Sequence, residues 1–225
     1  MEPTGEREKL QREIAALAAR MIVEEGRDRA QAKRKAAAAV AGERALAVLP
    51  DNEQLEAALR QYLRTVGGAA HRALLHGLRC VAAQWMQILE EFRPYLVGDV
   101  LDGSATEHSA LRLNLYTESA KDVELALLER GVDFRVGEPP GREDHAQEVI
   151  GFLVPGNAGG PREPLIRILL TVYAPQALRV AAQPRVRSTD PLLHPIERRG
   201  RADLALVREL LSDCDDGEGV QSSRA

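Results

Sequence analysis

Hydrophobic positions along the chain change their period near residue 93. Before that point they recur at steps of three and four, the spacing of helices with one buried face. Leu10, Ile14, Leu17, Met21 and Ile22 predict a helix over Glu6–Glu25, which Gly26 ends. Asp28 then caps an alanine-rich helix from Arg29 to Ala41, with Lys33, Arg34 and Lys35 on its polar side. Pro50-Asp51-Asn52 is a turn and cap, and Leu55, Leu59 and Leu63 predict a helix over Glu53–Val66 that Gly67-Gly68 breaks. The longest helix follows, Ala70–Phe92, with an apolar seam of Leu74, Leu78, Val81, Trp85, Ile88 and Phe92. Pro94 closes it, because the residue before a proline is biased out of helix.

From Phe92 onward alternation takes over. An entering strand leads to a small-residue turn at Gly103-Ser104-Ala105. Ser109–Tyr116 then puts Leu111, Leu113 and Leu115 on one face and Ala110, Arg112, Asn114 and Tyr116 on the other, a half-buried strand. Ser119, three residues before Asp122, is a weak capping box for a helix carrying Val123, Leu127 and Leu128, and Gly131 stops it. Further strands are predicted at Val132–Val136, Glu148–Val154 and Leu165–Tyr173, the last a central strand through Ile166, Ile168, Leu170 and Val172. Loops rich in breakers separate them at 138–144 and 155–164. A short helix over Pro175–Ala182, an arginine-rich stretch (Arg179, Arg185, Arg187, Arg198, Arg199, Arg201) and a last helix over Ala202–Leu211 complete the pattern. The expected fold class is α+β: a helical module over 1–93 packed on a small mixed sheet over 94–211, with a disordered polar tail at 212–225.

The stretch FRPYLVGDVLDGSA, followed by a short strand and LYTESAK, resembles the nucleotidyltransferase superfamily. It looks most like a small proteobacterial branch with the pattern F-R-P-x-L-x-G-x-V-x-x-G-[ST]-A, then L-[FY]-x-x-[SP]-A-K. The resemblance covers about residues 70–180 and implies a mixed sheet of nucleotidyltransferase type. In that superfamily a Gly-Ser turn precedes a strand with two carboxylates at i and i+2. Both then share one strand face and reach one pair of magnesium ions. The matching positions here are Ala110 and Arg112, neither of which holds a metal. The family's third acid would fall on Leu165–Tyr173, whose only charge is Arg167. Some relatives of the branch carry the label UDP-N-acetylmuramate–alanine ligase. That chemistry needs a phosphate loop for ATP, and no GxxxxGK[ST] is present.

The resemblance makes Gly103 and Ser104 candidates for nucleotide binding, through backbone N–H groups and a hydroxyl aimed at phosphate. Taken alone, Gly-Ser is an ordinary turn dipeptide. Six residues separate Gly103 from Ala110, shorter than the family interval, so the wrapping loop is trimmed. Arg112 is either a solvated arginine on an exposed strand face or a cation in place of the metal, holding phosphate bidentately. Asp102, Glu107 and Glu118 are the acids available to a working transferase, and Asp99 lies nearby, but none has the i, i+2 geometry. Among the histidines, His71 and His76 are five apart and share no metal-binding face; His108, in the loop, is the one worth testing beside its plain reading as a loop residue.

A net charge of −4 argues against a general polyanion binder and restricts any nucleic-acid contact to a local patch. Cys80 and Cys214 form neither a disulfide framework nor a zinc spacing. Neither a signal core nor a membrane-length apolar run is present, so a cytoplasmic protein without membrane contact is expected. The opening IAALAARMIVEEG and AKRKAAAAVAG resembles the start of a helix-turn-helix repressor, yet ERALAVLPDNEQ supplies no obvious recognition helix. Three readings result. The first is a catalytically degenerate nucleotidyltransferase-like protein binding a nucleotide or a protein partner, with no cofactor expected. The second is a working transferase using Mg²⁺ through Asp102, Glu107 or Glu118. The third is a DNA-associated regulator using Lys33–Lys35 and the arginines of 179–201.

Overall fold

The structure, a computed structural model, describes residues 4–139, 146–156, 165–181 and 193–218. His145, the connection at 157–164, Arg185, Arg187 and residues 219–225 lie outside the described residues. The chain divides into two compact units, Met1–Ala73 and Leu74–Ala225.

In the first unit, α1 (Thr4–Glu25), α2 (Arg29–Ala41) and α3 (Asn52–Tyr62) meet in a small apolar core. Ile14, Ala18, Ala19 and Ile22 of α1 pack with Ala32, Ala36 and Ala37 of α2 and with Leu55 and Leu59 of α3. Both expected caps form. The Asp28 carboxylate accepts from the N–H groups of Ala30 and Gln31 at 2.9 and 3.2 Å. Asp51 accepts from the Gln54 N–H at 2.7 Å, while the Gln54 side chain accepts from the Asp51 N–H at 2.9 Å, a complete capping box. Between α2 and α3 the chain forms a 3-10 stretch, Gly42–Val48, where a repressor would need its groove-reading helix. The Lys33 ammonium donates to Pro50 O and Asn52 Oδ1, both at 3.0 Å, and Lys35 lies 3.7 Å from Glu25. Two of the three basic residues considered for DNA contact, Lys33 and Lys35, thus bond within their own module.

A wide π-helical turn, Leu63–Gly67, leads from α3 into α4 (Gly68–Ile88). The unit boundary falls inside α4, not at residue 93, because Leu78, Val81, Ala82, Met86 and Leu89 belong to the core of the sheet. Ile88, expected in the seam, is 38% exposed, and Met86 takes the buried position. The helix also stops before Phe92: Glu90–Phe92 is a separate 3-10 turn, and Arg93 adopts a left-handed φ of 49° ahead of Pro94.

The second unit continues with β1 (Tyr95–Val97), α5 (Asp99–Asp102), β2 (Leu111–Tyr116), α6 (Ala120–Glu129), β3 (Phe134–Gly137), β4 (Ala146–Pro155), β5 (Leu165–Tyr173), α7 (Pro175–Ala181), β6 (Arg201–Ala202) and α8 (Leu204–Glu218). The strands form one sheet in the order β3-β4-β5-β2-β1-β6. Only β2 and β5 are parallel neighbours; the other pairs are antiparallel, so the sheet is mixed and the unit is α+β. Leu96, Leu113, Leu170 and Ile150 stand opposite one another across four strands, all fully buried. Alternation sends this row to one face, where α4, α6 and α8 cover it with Met86, Leu127 and Val207. Trp85 of α4 meets Phe152 of β4 with ring centroids 4.7 Å apart.

Several boundaries differ from expectation. Ala202, expected to open the last helix, instead pairs with β1 in the short edge strand β6, together with Arg201. The last helix runs on to Glu218, past the expected end at Leu211. Ser119 precedes α6 but makes no side-chain cap bond, so the weak capping box is corrected to an uncapped start. Among the described residues, no helix is long and apolar enough to cross a membrane.

Candidate functional site

The candidate site is built from the return between β1 and β2. β1 runs antiparallel to β2, with Val97 opposite Arg112. The chain must then reverse within a few residues. Gly98, at φ 73° and ψ −150°, occupies a backbone region that side-chain-bearing residues essentially never enter. Its carbonyl accepts from the N–H groups of Leu101 and Asp102 at 2.9 and 3.0 Å, closing the single turn of α5. Gly103, at φ 79°, ends that turn in the left-handed conformation.

The loop beyond Gly103 is held by its own polar groups. The Asp102 carboxylate accepts from the Ser104 N–H at 2.9 Å. The Thr106 N–H donates to Ser109 Oγ at 3.0 Å, and Ser109 Oγ donates to Asp99 Oδ2 at 3.2 Å. Ser104 and Ala105 are fully buried. A phosphate approaching the Ser104 amide would therefore have to displace the Asp102 carboxylate, an anion already in place. This is the local cost of using the Gly103-Ser104 turn as an anion cradle.

Beneath the turn lies a pair of residues that sequence reasoning did not single out. Arg79 of α4 is buried, and its guanidinium donates to Val100 O and Leu101 O, each at 3.1 Å. It also meets Glu197 Oε1 at 2.6 Å, while Glu197 Oε2 accepts from the His194 N–H at 2.9 Å. Three elements are thereby bound to one guanidinium–carboxylate pair: α4, the carbonyl end of α5 and the 3-10 turn at 197–199. A Cβ placed on Gly103 would lie 3.6 Å from Glu197 Oε1, so a carboxylate backs the turn directly. The only sequence signal was an arginine flanking the apolar seam of a long helix. Glu197 sits in a stretch noticed for its arginines.

The remaining candidates separate by exposure. Arg112 is exposed, its stem crossing Gly98, where a Cβ would lie 3.6 Å from Arg112 Cδ. Ala110 is half-buried just before β2, and Glu107, His108 and Glu118 are exposed. Asp99 and Asp102 point back into the loop through the bonds given above. Among the described residues, no three His, Cys, Asp or Glu side chains converge as a metal-binding group. Arg167, the one charge on β5, is exposed on the same sheet face as Arg112, since Leu169, two residues on, stands opposite Arg112. An open depression of about 450 Å³ lies elsewhere, lined by Ala83, Gln84, Gln87, Ile88 and Arg208, and holds no cluster of reactive groups.

The arrangement offers an exposed guanidinium above a rigid glycine turn, with nearby acids engaged in holding the loop. No family model, curated protein or solved structure matches the chain.

Proposed function

We propose that this chain is a nucleotidyltransferase-like protein that binds a nucleotide without transferring it. The motif from Phe92 to Ala105 and the strand after it support the family reading, and Arg112 supports the loss of chemistry. Arg112 stands where the family places a metal-binding acid, is exposed, and forms no ion pair with a described residue. This is the observation that carries the reading. A guanidinium gives two parallel N–H donors to a phosphate and supplies charge without magnesium. It cannot take a proton from an attacking hydroxyl at neutral pH, so binding is favoured and transfer is not.

Activity would require Asp102, Glu107 or Glu118 to gather around Mg²⁺. Asp102 would have to give up the Ser104 amide. Incubation with a labelled nucleoside triphosphate and Mg²⁺ tests the choice. The proposal expects no label on protein or acceptor above background. Magnesium-dependent transfer that is lost in Asp102→Ala or Glu107→Ala would sink it.

A further inference from the structure

The inner face of the sheet is covered by α4, α6 and α8, and its opposite face carries a different chemistry. Arg135 of β3 stands opposite Gly151 of β4, Gly151 opposite Leu169 of β5, Leu169 opposite Arg112 of β2, Arg112 opposite Val97 of β1, and Val97 opposite Arg201 of β6. One row thus crosses all six strands of the sheet, with arginines on the first, fourth and sixth. With strands about 4.8 Å apart, the three guanidinium stems leave the sheet about 14 and 10 Å from each other. Arg167 adds a fourth, two residues along β5 from Leu169.

No carboxylate answers them from the strands. The only acid in the six strands is Glu148, which stands opposite Val172 on the covered face. Arg112, Arg135 and Arg167 are exposed and form no ion pair with a described residue. The same face also holds aromatic rings. Tyr116 lies edge-on to Tyr95 and stacked with Tyr173, each at 5.6 Å between centroids, and the Arg201 guanidinium sits 5.2 Å over the Tyr95 ring. Leu153, opposite Arg167, is 57% exposed.

We infer that this face binds single-stranded nucleic acid, laid across the strands along the arginine row. A line of cations with no strand carboxylate on its face, among the described residues, fits a linear polyanion. Tyr116 is buried, so the half-buried Tyr95 and Tyr173 on either side of it and the exposed guanidinium planes are what bases could stack on. Gly151, mid-row, has no side chain of its own, and the Leu169 side chain lies against it, 3.2 Å from where a Cβ would stand. A duplex hides its base faces and would use only the charges. The chain is acidic overall, so the attraction is local to this face. The inference does not depend on the Gly103 turn, and Arg135 and Arg167 lie on strands remote from it in sequence.

Fluorescence anisotropy of the full chain with a short labelled uridine homopolymer tests it. Binding is expected at about 50 mM salt, with log affinity falling against log salt at a slope of about −2 to −3 for three or four neutralised phosphates. Arg135→Glu/Arg167→Glu, both exposed and so compatible with the fold, should weaken binding about tenfold or more and flatten that slope. Tyr95→Leu should weaken binding about tenfold through lost stacking while leaving the slope unchanged. The response to a nucleoside triphosphate should survive Arg135→Glu/Arg167→Glu, which separates this inference from the nucleotide reading. No binding at low salt, indifference to the double arginine variant, or equal binding of duplex would overturn it. Equal competition by polyglutamate, which has charge but no bases, would overturn it in favour of an acidic protein partner.

Discussion

Arg79 and Glu197 lie 118 residues apart in sequence and meet at 2.6 Å beneath the Gly103 turn. The guanidinium also holds the carbonyls of Val100 and Leu101, which the single turn of α5 leaves without helical partners. One buried contact therefore fixes where the β1–β2 return lies relative to α4.

Removing one member of such a pair leaves the other charged and buried. Arg79→Met should destabilise the sheet unit by about 3–5 kcal/mol. Adding Glu197→Leu should recover part of the loss but not all of it, since the Val100 and Leu101 carbonyls stay unpaired. Trp85, the only tryptophan, packs on Phe152 in the same core, so its fluorescence in urea titrations reports both variants.

The two glycines of the return should differ in cost. Gly98→Ala forces a side chain into a region near φ 73° and ψ −150°, at about 1–3 kcal/mol. Gly103→Asn keeps a left-handed residue that asparagine tolerates and should cost well under about 1 kcal/mol. Comparable losses in urea midpoints would show that the return is looser than its geometry.

A pH signature comes from the edge where α6 meets β4. Burial, reinforced by the nearby Glu124, raises the Glu148 carboxyl above its ordinary value of 4.5. Glu148 Oε2 is buried with no partner, so the protonated form, able to donate to Glu124, is the better satisfied one. Glu124 itself is held low by Lys121, whose ammonium is 2.6 Å from Glu124 Oε1. The folded state then keeps a proton on Glu148 that the unfolded state has lost, so Glu148 makes stability fall as pH rises from about 4.5 through its raised value. Glu148→Gln should be more stable than the parent at pH 7, with the difference shrinking as pH drops to 4. Urea midpoints for both proteins across that range check the sign.

Local signals were legible in the sequence, and signals depending on register were not. Leu165–Tyr173 became β5 with the expected ends, and Asp28 and Asp51 cap the helices they precede. Both cases rest on chemistry within a few residues. Ser119 had the spacing of a cap, but no side-chain cap bond forms there. β6 is two residues long, too short for any periodicity, and exists only because β1 offers an edge. At the candidate site, Gly103 and Arg112 could be picked out from the motif. Arg79 and Glu197 could not, since pairing at that separation leaves no local pattern. The arginine row was hidden likewise: Arg135, Arg112 and Arg201 align only once five strand registers are known.

The proposed replacement of a metal site by the Arg112 guanidinium is open to a direct test. Thermal unfolding with a nucleoside triphosphate, with and without Mg²⁺, tests it most directly, because a ligand of the native state at a hundred times its Kd stabilises by about 2.7 kcal/mol. The account predicts a rise of about 5–10 °C in Tm with triphosphate alone, lost in Arg112→Ala. A rise that needs Mg²⁺, or one that Arg112→Ala leaves intact, would contradict it.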